Sequence, residues 1–380
     1  RQEPMRKPLF VVDASLPYLE GLVEQVAEVE RLPSRDFTPE RVREADALLI
    51  RSVVQADRAL LEGSRVRVVA TATAGYDHID ADYCASHGVA WYSAPGCNAG
   101  GVVQYVLSAL ASWSLERGVS LQGKTIGIVG VGHVGSKLAE RVSALGLRPL
   151  LCDPPRAERE GSEGFVSLEE IQRSSDIITL HVPLTMTGAY PTAGMVDEAF
   201  LEACVRQPLL INACRGPVSP SAPLLRALER GQIADLILDC WEGEPKIHPD
   251  LPKHTFIATP HVAGWTADGK WRGSQMALEA VCRELQLPLP EGLWDESVLY
   301  TPDHPLIDLS AFPDGERLLR AQLHTCSLTE TTRRLQAEPS AFDALRRAYR
   351  FPREASAFTV RGARAEERKL LEQLGFVSFS

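Results

Sequence analysis

From Leu9 onward, short runs of consecutive apolar residues alternate with segments whose apolar residues recur every three or four positions. LFVVDA is the first such run; Leu19, Leu22, Val23 and Val26 then mark a helical face, and VERLP returns to strand character. Thr38 and Pro39 open a further short helix as N-cap and first-turn proline, and ALLIRS and VRVVATATAG follow as strands separated by a helix around residues 59–61. Strands this apolar belong to a parallel sheet covered on both faces. After the turn signal Pro95-Gly96-Cys97-Asn98, residues 102–115 read as a long helix apolar almost all round, hence one buried between domains. The alternation continues through IITLHVP, PLLINACRG, ADLILDC and FIATPHVAG, with Ser167-Leu168-Glu169-Glu170 as a capping box before one of the helices. Residues 267–287 are helical and cross back to the first domain. The proline-rich LPLPEGLWDE marks a boundary, beyond which helical signals at 315–323 and 342–349 mix with a strand-like AFTVRG.

The stretch from Thr125 to Asp153, TIGIVGVGHVGSKLAERVSALGLRPLLCD, adds chemistry to that pattern. Gly130, Gly132 and Gly135 form G-x-G-x-x-G between an apolar strand and a helix carrying Leu138, Val142 and Leu145. The first glycine permits a tight turn, and the second lets the backbone approach a pyrophosphate. The third lets the helix pack on the strand with its N-terminal amides facing the anion. Asp153, at the end of the next strand, is placed to bond a ribose hydroxyl and to repel a 2′-phosphate, which favours NAD over NADP; Arg156 and Arg159 weigh against that preference. A purely structural glycine turn is the plain alternative. The order of strand, glycines, helix, strand and acid favours a dinucleotide.

Composition narrows the class. A net charge of −10 opposes nucleic-acid and membrane-surface binding, although local arginines can hold a small anion. No apolar run approaches the roughly 20 residues that span a bilayer, and no signal-peptide pattern precedes the first strand. The 8 cysteines are scattered, without C-x-x-C or zinc-site spacing, so they read as reduced thiols in a cytoplasm, and no metal is implied. Arg1 to Pro4 precede Met5, which looks like a natural start, and are set aside. The expected architecture is α/β: two doubly wound Rossmann-like domains with a cleft between them and a small α+β domain at the C-terminus. Their expected bounds are 5–101 with 265–288, then 102–264, then 289–380.

Three strand ends supply polar groups where ligands bind in open α/β sheets. Arg215 follows LLINAC and is followed by Gly216; a guanidinium there can hold a carboxylate through two parallel hydrogen bonds. His261 ends FIATP and can exchange a proton with a hydroxyl. Glu244, in DCWEGEP, can orient that imidazole. Each has a plainer reading: a helix-entry turn, a solvated loop acid, a structural Pro-His pair. Following a dinucleotide site, the three together are what hydride transfer to or from a 2-hydroxy acid needs.

On GIVGVGHVG, NACRG, DCWEGEP and TPHVAG, in that order, the chain resembles the D-isomer-specific 2-hydroxyacid dehydrogenases from Leu9 to about Leu287. RSV at Arg51 to Val53, TATAGYDHID, APGCNAGGVVQYV, CDPPR and a C-terminal segment containing FDALRRAY place the resemblance in the branch acting on a phosphorylated substrate. The resemblance implies that Arg215 and Glu244 are the active-site pair and His261 the proton donor or acceptor. It implies cofactor contacts at Gly130, Gly132, His133, Val134, Gly135, Asp153, Val182, Ala213, Cys214, Arg215, Asp239 and Gly264, and substrate contacts at Ser52, Thr73 and Trp265. The implied reaction is NAD-dependent oxidation of 4-phospho-D-erythronate at C2, by a homodimer formed through the C-terminal domain.

Several positions depart from the family pattern: Trp265 replaces a usual Tyr, Val182 and Tyr76 a usual Thr each, Ser219-Pro220 a usual Val-Asp, and Ala14-Ser15 a usual Glu-Asn. These bear on substrate range more than on reaction type. A sister dehydrogenase of the phosphoglycerate or hydroxypyruvate type, or a non-catalytic NAD(H)-sensing protein, is the alternative. Arg346 or Arg347 is a candidate for neutralising substrate phosphate, against a solvated helix face, and hinges are expected near Gly100-Gly101 and Gly264.

Overall fold

Two parallel sheets carry the alternation in a computed structural model of the chain, which describes residues 6–380; the reading of Arg1 to Pro4 and Met5 lies outside them. The chain divides into two compact units, one running to Asn98 with Ala267–Tyr300 added, the other comprising Ala99–Thr266 and Thr301–Ser380.

In the first unit, strands β1 (Leu9–Asp13), β2 (Glu28–Leu32), β3 (Ala47–Ile50), β4 (Val68–Thr71) and β5 (Ala90–Tyr92) lie in the order β2-β1-β3-β4-β5, every pair parallel. β3 and β4 are buried throughout because helices cover both faces. Ala277, Leu278 and Val281 of helix Ala267–Glu284 pack on one face, and Val42, Leu60 and Cys84 on the other. A Cβ on Gly273 would come 2.6 Å from the Ala72 carbonyl oxygen, so only glycine lets that helix lie so close. Thr38 caps helix Pro39–Val42 by accepting from the Arg41 amide, as the sequence indicates. The helical face from Leu19 to Val26 shrinks to Val23–Val26, with Gly21 in the left-handed region at φ 78° just before it.

In the second unit, β6 (Thr125–Val129), β7 (Arg148–Cys152), β8 (Ile177–Leu180), β9 (Leu209–Asn212), β10 (Asp235–Leu238) and β11 (Ile257–Ala258) form a parallel sheet ordered β11-β10-β9-β8-β6-β7. The strand order reverses beside β6, the switch point at which doubly wound sheets bind ligands. Helix Ala99–Arg117 is buried from Ala99 to Ser114. Within its own unit, Ile126 and Leu138, and Ile307, Ala321 and Leu371 from the C-terminal segment, share one core with it. Gln322 also donates to Ser108 Oγ at 3.1 Å. A helix apolar all round needs cover on every side, and residues 301–380 supply part of it. These residues form a parallel sheet of β12 (Leu306–Asp308), β13 (Thr359–Arg361) and β14 (Ser378–Phe379), with helices Arg317–Thr325, Thr329–Ala337, Phe342–Arg347 and Ala365–Leu374. Among the described residues, no helix is long and apolar enough to cross a membrane.

Candidate active site

The glycine turn leaves β6 at the switch point. Gly130 has φ 91°, and a Cβ there would stand 2.4 Å from the His181 carbonyl oxygen on the neighbouring strand end. A Cβ on Gly135 would be 2.0 Å from the Gly130 carbonyl oxygen, so this glycine sets how closely helix His133–Val142 approaches β6. Gly132, the N-cap of that helix, has nothing within 4 Å of its would-be Cβ: open space remains where an anion would meet the amides of His133 and Val134. A cavity of about 430 Å³ continues from this turn, lined by apolar groups including Val129, Cys152, Pro154, Leu168 and Val182. Three glycines with these three surroundings and an apolar pocket beside them fit a dinucleotide.

Asp153 holds the turn in shape. One carboxylate oxygen accepts from the Val131 amide at 2.9 Å, and the other caps helix Pro154–Glu160 by accepting from the Arg156 amide at 3.0 Å. Arg156 in turn donates to the Val131 carbonyl at 2.7 Å and pairs with Glu160 at 2.9 Å. His181 borders the same cavity; burial pushes its pKa down to about 4, and Nε2 lies 2.8 Å from Thr179 Oγ1.

The three catalytic candidates all leave the carboxyl edge of the same sheet, after β9, β10 and β11. His261 Nδ1 is 2.7 Å from Glu244 Oε2, and Glu244 Oε1 accepts from the Trp241 amide at 2.8 Å. The acid is therefore fixed by the backbone and fixes the ring. His261 sits at φ 56°, an uncommon conformation for a residue with a side chain, held by hydrogen bonds from its amide to the Asp239 and Thr259 carbonyls. Asp239, 1% exposed, pins the loop that follows: its carboxylate accepts from the Val262 and Ala263 amides at 2.8 and 3.0 Å and from Thr259 Oγ1 at 2.8 Å. Burial raises its pKa, and these hydrogen bonds oppose the rise. Arg215 lies one loop away with Nη1 donating to the Cys214 carbonyl at 2.8 Å. Cys240, Glu244 and His261 each bring a potential ligand atom within 4.8 Å of the others. Burial pushes the Cys240 thiol well above its ordinary range, and Glu244 and His261 are already engaged with each other.

Ala213 and Cys214 are buried where β9 ends, and Asn212 shapes their loop by donating to the Arg215 carbonyl at 3.0 Å and to Ser219 Oγ at 2.7 Å. A Cβ on Gly101 would come 3.1 Å from the Gly264 carbonyl oxygen. Ser52 and Thr73 follow neighbouring strands β3 and β4 in the first unit; Thr73 Oγ1 donates to the Gly75 carbonyl at 2.8 Å. Sequence reasoning passed over the groups that hold the site: Asn212, Thr259, and Trp241, whose Nε1 donates to the Thr259 carbonyl at 2.8 Å. Their signal was their place inside NACRG, DCWEGEP and FIATP.

A dinucleotide cradle and an acid-supported histidine on one sheet edge are the working parts of a nicotinamide-dependent dehydrogenase, and comparison with known proteins specifies the branch. Residues 107–263 match the D-isomer specific 2-hydroxyacid dehydrogenase NAD binding domain. Over 97% of its length the chain is 47% identical to an erythronate-4-phosphate dehydrogenase of Porphyromonas gingivalis, covering 100% of that protein. One from Bacteroides thetaiotaomicron is 41% identical over 93% of the chain and 99% of the relative. A D-lactate dehydrogenase from Aquifex aeolicus, solved with NAD and lactic acid, shares the fold with a TM-score of 0.60 at 22% identity, covering 73% of this chain and 95% of that one. The chain belongs to the erythronate-4-phosphate dehydrogenase family. It is an NAD-dependent oxidoreductase, with NAD as its cofactor.

Proposed function

We propose that the chain oxidises 4-phospho-D-erythronate at C2 to (R)-3-hydroxy-2-oxo-4-phosphooxybutanoate, a step toward pyridoxal phosphate. The observation that carries this reading is the 2.7 Å Glu244–His261 pair in the same unit as the glycine cradle, in a chain matching an erythronate-4-phosphate dehydrogenase over 97% of its length. Bound NAD supplies the hydride acceptor, and the remaining work falls to side chains. Arg215 clamps the substrate carboxylate, which places C2 and its hydroxyl before His261. His261 takes the hydroxyl proton on Nε2, because Nδ1 is engaged by Glu244. As that proton leaves, the C2–H pair departs as hydride and the C2–O bond becomes a carbonyl. Glu244 keeps the ring oriented and stabilises the imidazolium that forms. Ser52, Thr73 and Trp265 bind the substrate's remaining polar groups. Gly130, Gly132, His133, Val134, Gly135, Asp153, Val182, Ala213, Cys214, Asp239 and Gly264 would contact the bound cofactor.

The enzyme works as a homodimer assembled through residues 289–380, in a cytoplasm that keeps its thiols reduced; all 8 cysteines are unpaired. Sedimentation equilibrium of the full chain tests the assembly. The reaction is tested by NADH formation with 4-phosphoerythronate, 3-phosphoglycerate and glycerate. Preference for the first supports the reading. Preference for either of the others, or NAD binding without turnover, overturns it.

A further inference from the structure

Helix Phe342–Arg347 brings Arg346 onto the loop that carries the catalytic histidine. Arg346 Nε donates to the His261 carbonyl at 3.2 Å, and its guanidinium carbon stands 4.7 Å from the centre of the Trp265 ring. That ring is braced edge-on by Phe351, with centroids 5.6 Å apart. A flat cation is thus held between a carbonyl and an indole face, within four residues of His261 on each count. What it lacks is an acid. Elsewhere in the C-terminal segment Arg333, Arg334, Arg350 and Arg361 each face a carboxylate, as a chain of net charge −10 readily provides. Arg346 faces none among the described residues. Its Nη groups keep donors for an anion in the fork geometry that suits a phosphate. Trp265 supplies a platform without competing, since an indole accepts no hydrogen bond and its face attracts the cation. Arg347, one residue on, is exposed and has neither contact.

We propose that Arg346, seated on Trp265, is the receptor for the phosphomonoester at the end of the substrate remote from the carboxylate that Arg215 holds. The inference rests on the reading under Proposed function and adds the residue that selects a phosphorylated over an unphosphorylated acid. Its test is the ratio of kcat/KM for 4-phosphoerythronate to that for D-erythronate. In Arg346→Gln this ratio falls by about tenfold or more, the loss lying in KM for the phosphorylated acid and exceeding whatever change kcat/KM for D-erythronate shows. Arg346→Lys, which keeps the charge and loses the fork, gives a smaller fall. Arg347→Gln leaves the ratio unchanged. An unchanged ratio in Arg346→Gln overturns the proposal, and so does an equal fall for both acids, which would mean that Arg346 only props the His261 loop. Should Arg346→Gln lose NAD binding, Arg346→Lys decides by the same ratio, a fall supporting and no change overturning. Failure of the underlying reading is distinct: the wild-type enzyme itself would then show no preference for the phosphorylated acid.

Discussion

Glu244 binds His261 Nδ1 at 2.7 Å with one carboxylate oxygen and the Trp241 amide at 2.8 Å with the other, so neither partner of the pair can turn independently. This leaves Nε2 as the nitrogen available to a substrate hydroxyl. His261→Ala removes the proton acceptor, and kcat is expected to fall by about 10² to 10⁴ while the NAD dissociation constant holds, because the cradle after β6 is untouched. Glu244→Gln keeps a hydrogen-bonding group but removes the charge that stabilises the imidazolium, so a smaller loss in kcat is expected. Steady-state NADH formation with NAD titration checks both. Near wild-type turnover in His261→Ala would sink the assignment.

Gly132 and Gly135 lie three residues apart and should fail in opposite ways. A Cβ at 135 meets the Gly130 carbonyl oxygen at 2.0 Å, so Gly135→Ala must push the helix off β6, lowering the melting temperature of the free protein and weakening NAD binding together. A Cβ at 132 meets nothing within 4 Å. Gly132→Ala is expected to melt near the wild-type temperature yet bind NAD more weakly, since the methyl group occupies the side the pyrophosphate approaches. Melting curves without NAD, set beside NAD titrations, separate the two; a larger stability loss in Gly132→Ala would contradict this account.

How much of this was legible in the sequence depends on whether the signal was local. The turn at Gly130, the cap at Thr38 and the strand runs depend on neighbours in sequence, and they appear in the structure as read. The distance from Glu244 to His261 depends on β10 and β11 lying side by side, which the spacing alone does not state. The C-terminal segment was hardest. Its helices at 317–325 and 342–347 were visible within a few residues, but Thr329–Ala337 and Ala365–Leu374 were not singled out. AEERKLLEQL shows its buried face only through Leu371 and Leu374, and the partners of that face are far away in sequence. Arg346 was visible only as one of two adjacent arginines; its contacts with His261 and Trp265 distinguish it.

Asp153 is expected to set cofactor choice, and its neighbours sharpen that expectation. Arg156, which in sequence stood as a possible partner for a 2′-phosphate, is committed to the Val131 carbonyl at 2.7 Å and to Glu160 at 2.9 Å. Asp153→Asn retains a good N-cap for helix Pro154–Glu160 while removing the charge. Its KM for NAD should rise by about tenfold, the loss of one charged hydrogen bond, and its preference for NAD over NADP should narrow. Asp153→Ala loses the cap as well, which costs about 1 kcal/mol of stability. Kinetics with both nucleotides and a denaturant titration check these outcomes; an unchanged NAD to NADP ratio in Asp153→Asn would refute the role.

His181 should make the enzyme sensitive to mild acid. Burial beside the cavity lowers its pKa from 6.5 to about 4, so the folded protein keeps this ring neutral where the unfolded chain would protonate it. Between those two values the unfolded state binds more protons, and stability therefore falls as pH drops through the window; above it the effect is absent. The acids Asp308 and Glu330, both held at about 2 by hydrogen bonds and arginine partners, lose their folded-state advantage only as pH falls through the ordinary carboxylate range and below. The upper part of the His181 window, from about pH 6.5 to about pH 5, is thus largely free of their titration. Denaturant midpoints measured across it should decline with acid in the wild type and decline less in His181→Gln, whose amide can still bond Thr179 Oγ1 in place of Nε2. Equal pH slopes in the two proteins would show that His181 is not the group being titrated.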